Sequence, residues 1–412
     1  MSQQQTPVTY PSPENPLPVR GWVYGLGALG VIIGVAAFIL GALQPDPMPA
    51  WRALLVNFLF WSSVAQGSFT WAVAFRIAKT TWSAPVNRLG QAFVGYFIVP
   101  PLLLIVLFFG RHYIMPWLGA DLGDRTRWLN APFLFIRDEV GLLVLLVLAL
   151  LYVRTYLRAD ATFSQGSPAG SDEERQTLIA RTSWRLSVIG VIYLVGYFMV
   201  YTLIAFDLVM AINPIWHSAL FGWYFALVGA YAGIAALAVL SVTLRHWRRV
   251  GRFYNRARFL DLGNFLMAFS LATAYFFFSQ AIVIWYENLP HETSYIIPRV
   301  NFAPWRTLSI ALLATCYLGV FALLVIREMK ENPRTLLAVG LFALASIWFE
   351  RYMLVTPSLS RAPTWSGVAL VILIGLGFLG LMVLLVTPFL ARYPAVSELD
   401  LHLREEQEEN WA

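Results

Sequence analysis

The stretch GVALVILIGLGFLGLMVLLVT, residues 367–387, carries no charged side chain and is long enough to cross a bilayer as a helix. About 20 apolar residues span the hydrocarbon core, and a lipid-facing backbone must satisfy its own hydrogen bonds. Similar stretches recur along the chain. The sequence therefore predicts an all-α integral membrane protein with ten transmembrane helices. We expect these helices at residues 21–43, 51–78, 89–113, 138–157, 183–206, 217–244, 262–286, 305–327, 335–355 and 367–394.

Composition narrows the chemistry that the chain can carry. Apolar side chains make up 58% of the 412 residues and charged ones only 13%, which excludes an ordinary soluble domain. Cys316 is the single cysteine, so the chain alone can build neither a disulfide framework nor an iron–sulfur cluster. All five histidines lie at predicted helix ends, in loops or in the tail. We therefore expect no metal site and no cofactor ligated or covalently bound by this polypeptide.

Charge and composition also divide the chain and orient it. Residues 1–20 are polar and proline-rich and are expected to be a disordered lead-in without a cleavable signal peptide. Residues 21–394 are the expected membrane domain, and residues 395–412 an acidic tail. Most of the 29 Lys and Arg lie in loops on the side of the termini, above all between Arg245 and Arg258. The positive-inside rule then places both termini in the cytoplasm. This one-sided charge, which also attracts anionic lipids, accounts for the basic balance without a nucleic-acid partner.

An internal echo suggests how the helices are grouped. Arg88-Leu89-Gly90-Gln91 is echoed by Asp261-Leu262-Gly263-Asn264, and the Asn130 and Arg137 pair is echoed by Asn301 and Arg306 at nearly the same offset. An even number of helices separates the copies, so the repeats run parallel. We expect two four-helix bundles, helices 2–5 and 6–9, with helices 1 and 10 flanking them.

Polar side chains inside the predicted spans are the candidate functional residues, because ionisable groups there are costly and commonly serve function. The candidates for a proton path are Glu139, Asp207, Glu350, Asp138, Gln66 and Gln280. Arg137 and Arg351 could tune these carboxylates or bind a quinone carbonyl.

Each group also has a structural interpretation. Asp138 and Glu139 suit a helix N-terminus, and Glu350 can pair with its neighbour Arg351. Ser62, Gln66 and Thr70 recur every four residues on one helical face, which is typical of hydrogen bonds between membrane helices as well as of a water-lined path.

Several stretches resemble the membrane subunits of the NrfD/polysulfide-reductase (NrfD/PsrC) superfamily, and within it the ActF-type subunits of alternative complex III. They are AFDLVMAINPIWHS (205–218), FGWY (221–224), DLGN (261–264), FSQ (278–280), WYENLPHE (285–292) and WLNAPFLFIR (128–137). The resemblance covers roughly residues 50–390. One motif departs from the usual Ser-(acidic)-Pro-His-Trp, since Asn213 stands at the acidic position and Ile215 at the histidine position. His217 lies two residues further on and is a further candidate for tuning or quinone binding.

The resemblance implies a subunit of a quinol:electron-acceptor oxidoreductase in a bacterial inner membrane, respiratory or photosynthetic. It implies partners that carry the redox centres, namely a sister NrfD-like subunit, a multihaem cytochrome and an iron–sulfur subunit, and it allows menaquinone or another quinol as ligand. This chain would scaffold them and contribute a quinone pocket or a proton path. Two alternatives stay open from the sequence: a secondary transporter and a purely structural membrane scaffold.

Overall fold

The structure is a computed structural model that describes residues 19–80, 82–164, 172–245, 254–394, 396–397 and 399–400. Within these ranges every regular element is helical. The α-helices are α1 Gly21–Ala42, α2 Met48–Ile77, α3 Ala84–Ala92, α4 Val99–Phe109, α5 Arg111–Ile114, α6 Ala131–Ser164, α7 Asp172–Leu208, α8 Ala219–Leu244, α9 Arg256–Glu287, α10 Pro290–Asn301, α11 Trp305–Leu312, α12 Val320–Val325, α13 Arg327–Glu331, α14 Pro333–Leu359 and α15 Trp365–Arg392. The expectations for residues 1–18, for Arg248, Arg249 and Arg252, and for residues 401–412 lie outside the described residues.

Nine helical segments in the described ranges are long and apolar enough to cross a membrane, so the chain has the form of a multi-pass membrane protein. They are Gly21–Ala42, Ala84–Phe109, Ala131–Thr162, Gln176–Ile212, Ala219–Leu244, Arg256–Glu287, Trp305–Val325, Pro333–Leu359 and Trp365–Arg392. The predicted span 51–78 is not among them. It corresponds to α2, which is 30 residues long but carries too many polar side chains. Nearly all of α2 is buried, so protein rather than lipid surrounds these groups.

The centre of the molecule is the crossing of α2 and α8. A Cβ atom built on Gly67 would lie 2.1 Å from the carbonyl oxygen of Gly229, and one on Gly233 equally close to the carbonyl carbon of Gly67. Glycine at these positions lets the two backbones touch, as at many membrane helix crossings. Around this crossing, α2 also contacts α7, α14 and α15, while α8 contacts α7, α9 and α14. The first helix, α1, packs along α15.

Two predicted spans are interrupted rather than continuous. The span predicted at 89–113 begins at Ala84, passes through a 3₁₀ turn at Phe93–Tyr96 and resumes at Val99. Pro100 and Pro101 explain the break, since proline lacks the N–H that would continue the preceding helix. The span predicted at 305–327 contains a π-helix at Leu313–Gly319, an arrangement that is frequent at functional sites.

The start of α6 corrects one sequence interpretation. The helix was expected to begin at residue 138 but begins at Ala131, so Asp138 and Glu139 lie in its second and third turns. They are therefore too far from the helix N-terminus to cap it. Leu134 and Phe135 extend the helix upstream because they are buried and pack into the core.

Candidate functional site

Arg137 and Asp207 form an ion pair between α6 and α7. The Arg137 Nε donates to Asp207 Oδ2 and the Nη2 donates to Oδ1, so the contact is bidentate. The guanidinium carbon lies 3.8 Å from the centre of the Trp128 ring. Asp138 lies beside Asp207 and is buried, and neither of its carboxylate oxygens has a donor among the described residues. Two carboxylates thus share one guanidinium, and the group needs a proton or another cation to be neutral.

Glu350 lies at the centre of a second buried group. Its Oε1 accepts a hydrogen bond from the Tyr224 hydroxyl at 2.6 Å, and the Tyr224 oxygen is 2.6 Å from that of Tyr317. Arg351 places Nη1 3.3 Å from Glu350 Oε2 and donates from Nη2 to the Phe225 carbonyl at 3.2 Å. Because Glu350 and Arg351 are both 0% exposed, the ion pair has no access to water in this structure. The π-helix brings Tyr317 to this group.

A row of tyrosines on α7 faces the polar side of α2. Tyr193, Tyr197 and Tyr201 are spaced by four residues and are fully buried. The Tyr193 hydroxyl donates to Gln66 Oε1 at 2.6 Å, and the Tyr201 hydroxyl lies near Ser62. Tyr193 and Tyr201 therefore face the polar side of α2, whereas the Tyr197 hydroxyl donates to the Ala226 carbonyl of α8 at 2.9 Å. We call Ser62, Gln66, Tyr193, Tyr197 and Tyr201 the polar column.

The polar column lies between the Glu350 group and a third polar group. Tyr201 lies close to the guanidinium of Arg351, at the Glu350 group. At its other end, the ring of Phe69 contacts Tyr193 with 4.8 Å between ring centres and Tyr152 with 5.6 Å. Phe69 is therefore an apolar interruption between Tyr193 and Tyr152.

Beyond Phe69 lies a cluster of buried ion pairs, the arginine cluster, formed by Arg76, Arg88, Tyr156, Asp160 and Asp400. Arg76 pairs with Asp400 and Arg88 pairs with Asp160. The Tyr156 hydroxyl donates to Asp400 Oδ2 at 2.5 Å, and both guanidinium carbons lie within 5.4 Å of the centre of its ring.

The two charged ends are separated by about the thickness of a bilayer core. Arg137 and Tyr156 lie on the same uninterrupted helix, α6, and are 19 residues apart. At 1.5 Å per residue this separation is about 28 Å, against ~30 Å for the hydrocarbon core. Buried charged groups therefore lie at both ends of a helix that is long enough to cross the bilayer, and Glu350 and Arg351 form a further buried charged pair.

The structure brings together some of the sequence candidates and separates others. Gln66 joins the polar column. Glu139 is half-buried, and its Oε2 has no hydrogen-bond partner among the described residues. Gln280 is half-buried on α9 and makes no hydrogen bond to the Glu350 group. His217 is exposed and stacks on His291, with ring centres 5.0 Å apart and planes 4° from parallel. His217 therefore does not join the Asp207 group.

Sequence reasoning missed the tyrosines and the arginine cluster. The recurrence of Tyr193, Tyr197 and Tyr201 at every fourth position was a usable signal, since it places three hydroxyls on one helical face. The arginine cluster gave no such signal, because Arg76 and Arg88 look like positive-inside residues and their acidic partners are far away in sequence.

The two copies of the internal echo have different surroundings. Gly90 packs closely on Ser68 and Ala72 of α2, whereas Gly263 packs on Lys330 of α13. The grouping of the helices into two parallel four-helix bundles stays a prediction. Comparison of the sequence with models of protein families gives no match, and comparison with curated proteins gives none.

Proposed function

We propose that this chain is the integral membrane subunit of a quinol:electron-acceptor oxidoreductase of the alternative complex III type. The motif stretches quoted above support the NrfD/PsrC-like, ActF-type assignment. In this proposal α2 is the tenth membrane-spanning helix, since it has the length of the others and its polar residues face protein. The spans from α2 to α7 then form one four-helix bundle and those from α8 to α14 the other, with α1 and α15 outside. The chain would lie in a bacterial inner membrane with both termini in the cytoplasm.

The buried polar groups in the membrane domain are the main support for a role in proton transfer. Arg137 and Asp207 lie at one end, and the arginine cluster lies about 28 Å away. The Glu350 group and the polar column are further buried polar groups, and Phe69 separates the column from the arginine cluster. Groups that both donate and accept hydrogen bonds can pass a proton along such a row. Glu350 is a fully buried carboxylate, and Tyr224 gives it a hydrogen-bonded neighbour. We propose that these groups form a proton path.

Electron transfer in this proposal belongs to neighbouring subunits. A sister NrfD-like subunit, a multihaem cytochrome and an iron–sulfur subunit would supply the redox centres that a chain with one buried cysteine lacks. We place the quinone headgroup at Arg137, where the guanidinium is stacked on Trp128, whose side chain is 46% exposed. An arginine can donate to a quinone carbonyl while the aromatic ring contacts the quinone plane.

Purification in mild detergent tests membership of a redox complex. We expect the tagged chain to bring down proteins that carry covalent haem and iron–sulfur clusters, detected by haem absorbance and iron content. Isolation of the chain alone from membranes that contain an active quinol-oxidising complex would contradict the proposal. Co-purification without any effect of polar substitutions on proton yield would favour a scaffold role.

Glu350→Gln tests the proton path within the assembled complex. The change keeps the shape of the side chain and its contact with Tyr224 but removes the ionisable group. We expect quinol turnover or proton release to fall by about 10²-fold or more, the effect typical of losing a positioned acid or base. Glu287→Gln, an exposed acid at the end of α9, is the matched control and should change neither quantity. Normal proton yield in Glu350→Gln would remove Glu350 from the path.

A secondary transporter is the second candidate, and one observation favours it. The π-helix at Leu313–Gly319 interrupts a span beside the buried Glu350 and Arg351, and broken helices beside midplane charges are typical of transporters. Reconstitution of the chain alone into vesicles separates the two functions. Saturable solute uptake driven by a proton gradient, without partner subunits, would favour the transporter.

A further inference from the structure

The arginine cluster is completed by residues that follow α15. Helix α15 ends at Arg392, and beyond it Val396, Ser397, Leu399 and the side chain of Asp400 are buried against the helices. We call these four residues the C-terminal strap. Val396 and Leu399 are buried, with 3% and 0% exposure, and so act as apolar anchors on either side of Ser397.

The strap makes three polar contacts with the cluster. Asp400 forms an ion pair with Arg76 and accepts a hydrogen bond from the Tyr156 hydroxyl. The Ser397 hydroxyl donates to Asp160 Oδ1 at 2.9 Å. Asp400 is thus bound in the way that an arginine and a tyrosine bind a carboxylate ligand. Sequence distance makes the contact unusual, because Asp400 and Arg76 are separated by 324 residues.

The site offers more donors than the strap uses. Arg88 is 1% exposed, and its Nε and Nη1 have no hydrogen-bond partner among the described residues. The Arg76 Nη2 and the Tyr152 hydroxyl are likewise buried without a described partner. Unpaired buried donors are costly to retain and point toward water or an anion that they bind in another state.

We propose that the C-terminal strap is a displaceable plug, and that Asp400 occupies in cis a carboxylate-binding site made by Arg76 and Tyr156, next to the Arg88–Asp160 pair. When docked, the strap covers the end of the buried polar groups that lies beyond Phe69. When displaced, it exposes the two guanidinium groups to the aqueous phase. The strap would control access to this end of the protein whether or not the polar column carries protons.

Thiol labelling of the full chain in detergent micelles tests whether the strap opens. Cys316 is the single native cysteine and is fully buried, so Cys316→Ala supplies a cysteine-free background. Ser397→Cys reports on the strap, and Val396→Cys repeats the measurement without removing the Ser397 hydroxyl. Ala161→Cys, an exposed site next to Asp160, gives the rate of an open position.

We expect both strap cysteines to react with a soluble maleimide much more slowly than Ala161→Cys. Adding Asp400→Asn should raise their rates by about tenfold, the effect of losing one charge-assisted hydrogen bond. Asp121→Asn, which removes an exposed acid elsewhere, should leave them unchanged. Strap cysteines that react as fast as Ala161→Cys in the presence of Asp400 would overturn the docking. Rates that do not respond to Asp400→Asn would overturn the role of Asp400 as the bound carboxylate.

Discussion

Gly67→Ala should destabilise the protein more than its size suggests. Gly67 lies at the α2–α8 crossing, where an added Cβ would be 2.1 Å from the Gly229 carbonyl oxygen. A carbon and a carbonyl oxygen do not normally approach closer than about 3.3 Å. The two helices must therefore separate locally by roughly 1 Å, because both sides of the contact are backbone and neither can rotate away.

The expected cost combines strain with weakened hydrogen bonds. Overpacking of a tight interface costs about 1–3 kcal/mol. The same separation would stretch the 2.8 Å bond from Trp71 Nε1 to the Ala230 carbonyl, worth about 0.5–1.5 kcal/mol. Alanine is favoured over glycine within a helix by about 1 kcal/mol, which offsets part of this. We therefore expect a net loss of roughly 2 kcal/mol.

Gly25→Ala is the matched control, since a Cβ built on Gly25 in α1 meets no atom within 4 Å. It makes the same chemical change without a clash and should stabilise the protein slightly or leave it unchanged. Unfolding in mixed micelles of rising SDS fraction, followed by circular dichroism, gives both changes relative to the unsubstituted chain. Equal stability of the two variants would refute the close approach of α2 and α8.

Four further outcomes are expected. Asp207→Asn should reduce the amount of folded protein because it removes the bidentate partner of Arg137, a loss of about 1.5–3 kcal/mol while the Asp138 charge stays nearby. Asp138→Asn should fold normally, and equal yields of the two variants by size-exclusion chromatography would contradict this. Tyr193→Phe should lose about 1 kcal/mol with its bond to Gln66, measured by the same SDS titration. Glu350→Gln in the complex should lower proton yield, read with a pH-sensitive dye. A hydrogen bond from Arg327 holds the pKa of Glu331 below its ordinary value of 4.5. The contact therefore stabilises the protein above that pH and is lost as the pH falls through the folded-state pKa. The difference in melting temperature between Glu331→Gln and the unsubstituted chain should shrink at acid pH.

Two arginines hold the Glu331 carboxylate. The group lies outside the membrane-spanning segments, in the short helix α13, where Arg327 and Arg256 both donate to its carboxylate. Both arginines are largely exposed, so salt should screen the contact and reduce the effect. A pH-independent difference between Glu331→Gln and the unsubstituted chain would show that packing, not charge, holds α13 in place.

Hydropathy along the chain was enough to predict a helical, multi-pass membrane protein. Long uncharged stretches such as residues 367–387 dictate helices whatever their neighbours, because a backbone in lipid has no other way to satisfy its hydrogen bonds. Periodicity also placed Ser62, Gln66 and Thr70 on one face of α2. The π-helix at Leu313–Gly319 could not be predicted from the sequence, because it depends on how Tyr317 packs against other helices.

The contacts between polar side chains, in contrast, depend on how the helices pack. Arg137 and Asp207 were both recognised as candidates, but their pairing joins two helices and no local rule links residues 70 positions apart. The contact between Arg76 and Asp400 joins residues that are 324 positions apart in the sequence. Charged partners inside a helical membrane protein are selected by how the helices are arranged, whereas sequence periodicity reports only the face of each helix on which a residue lies.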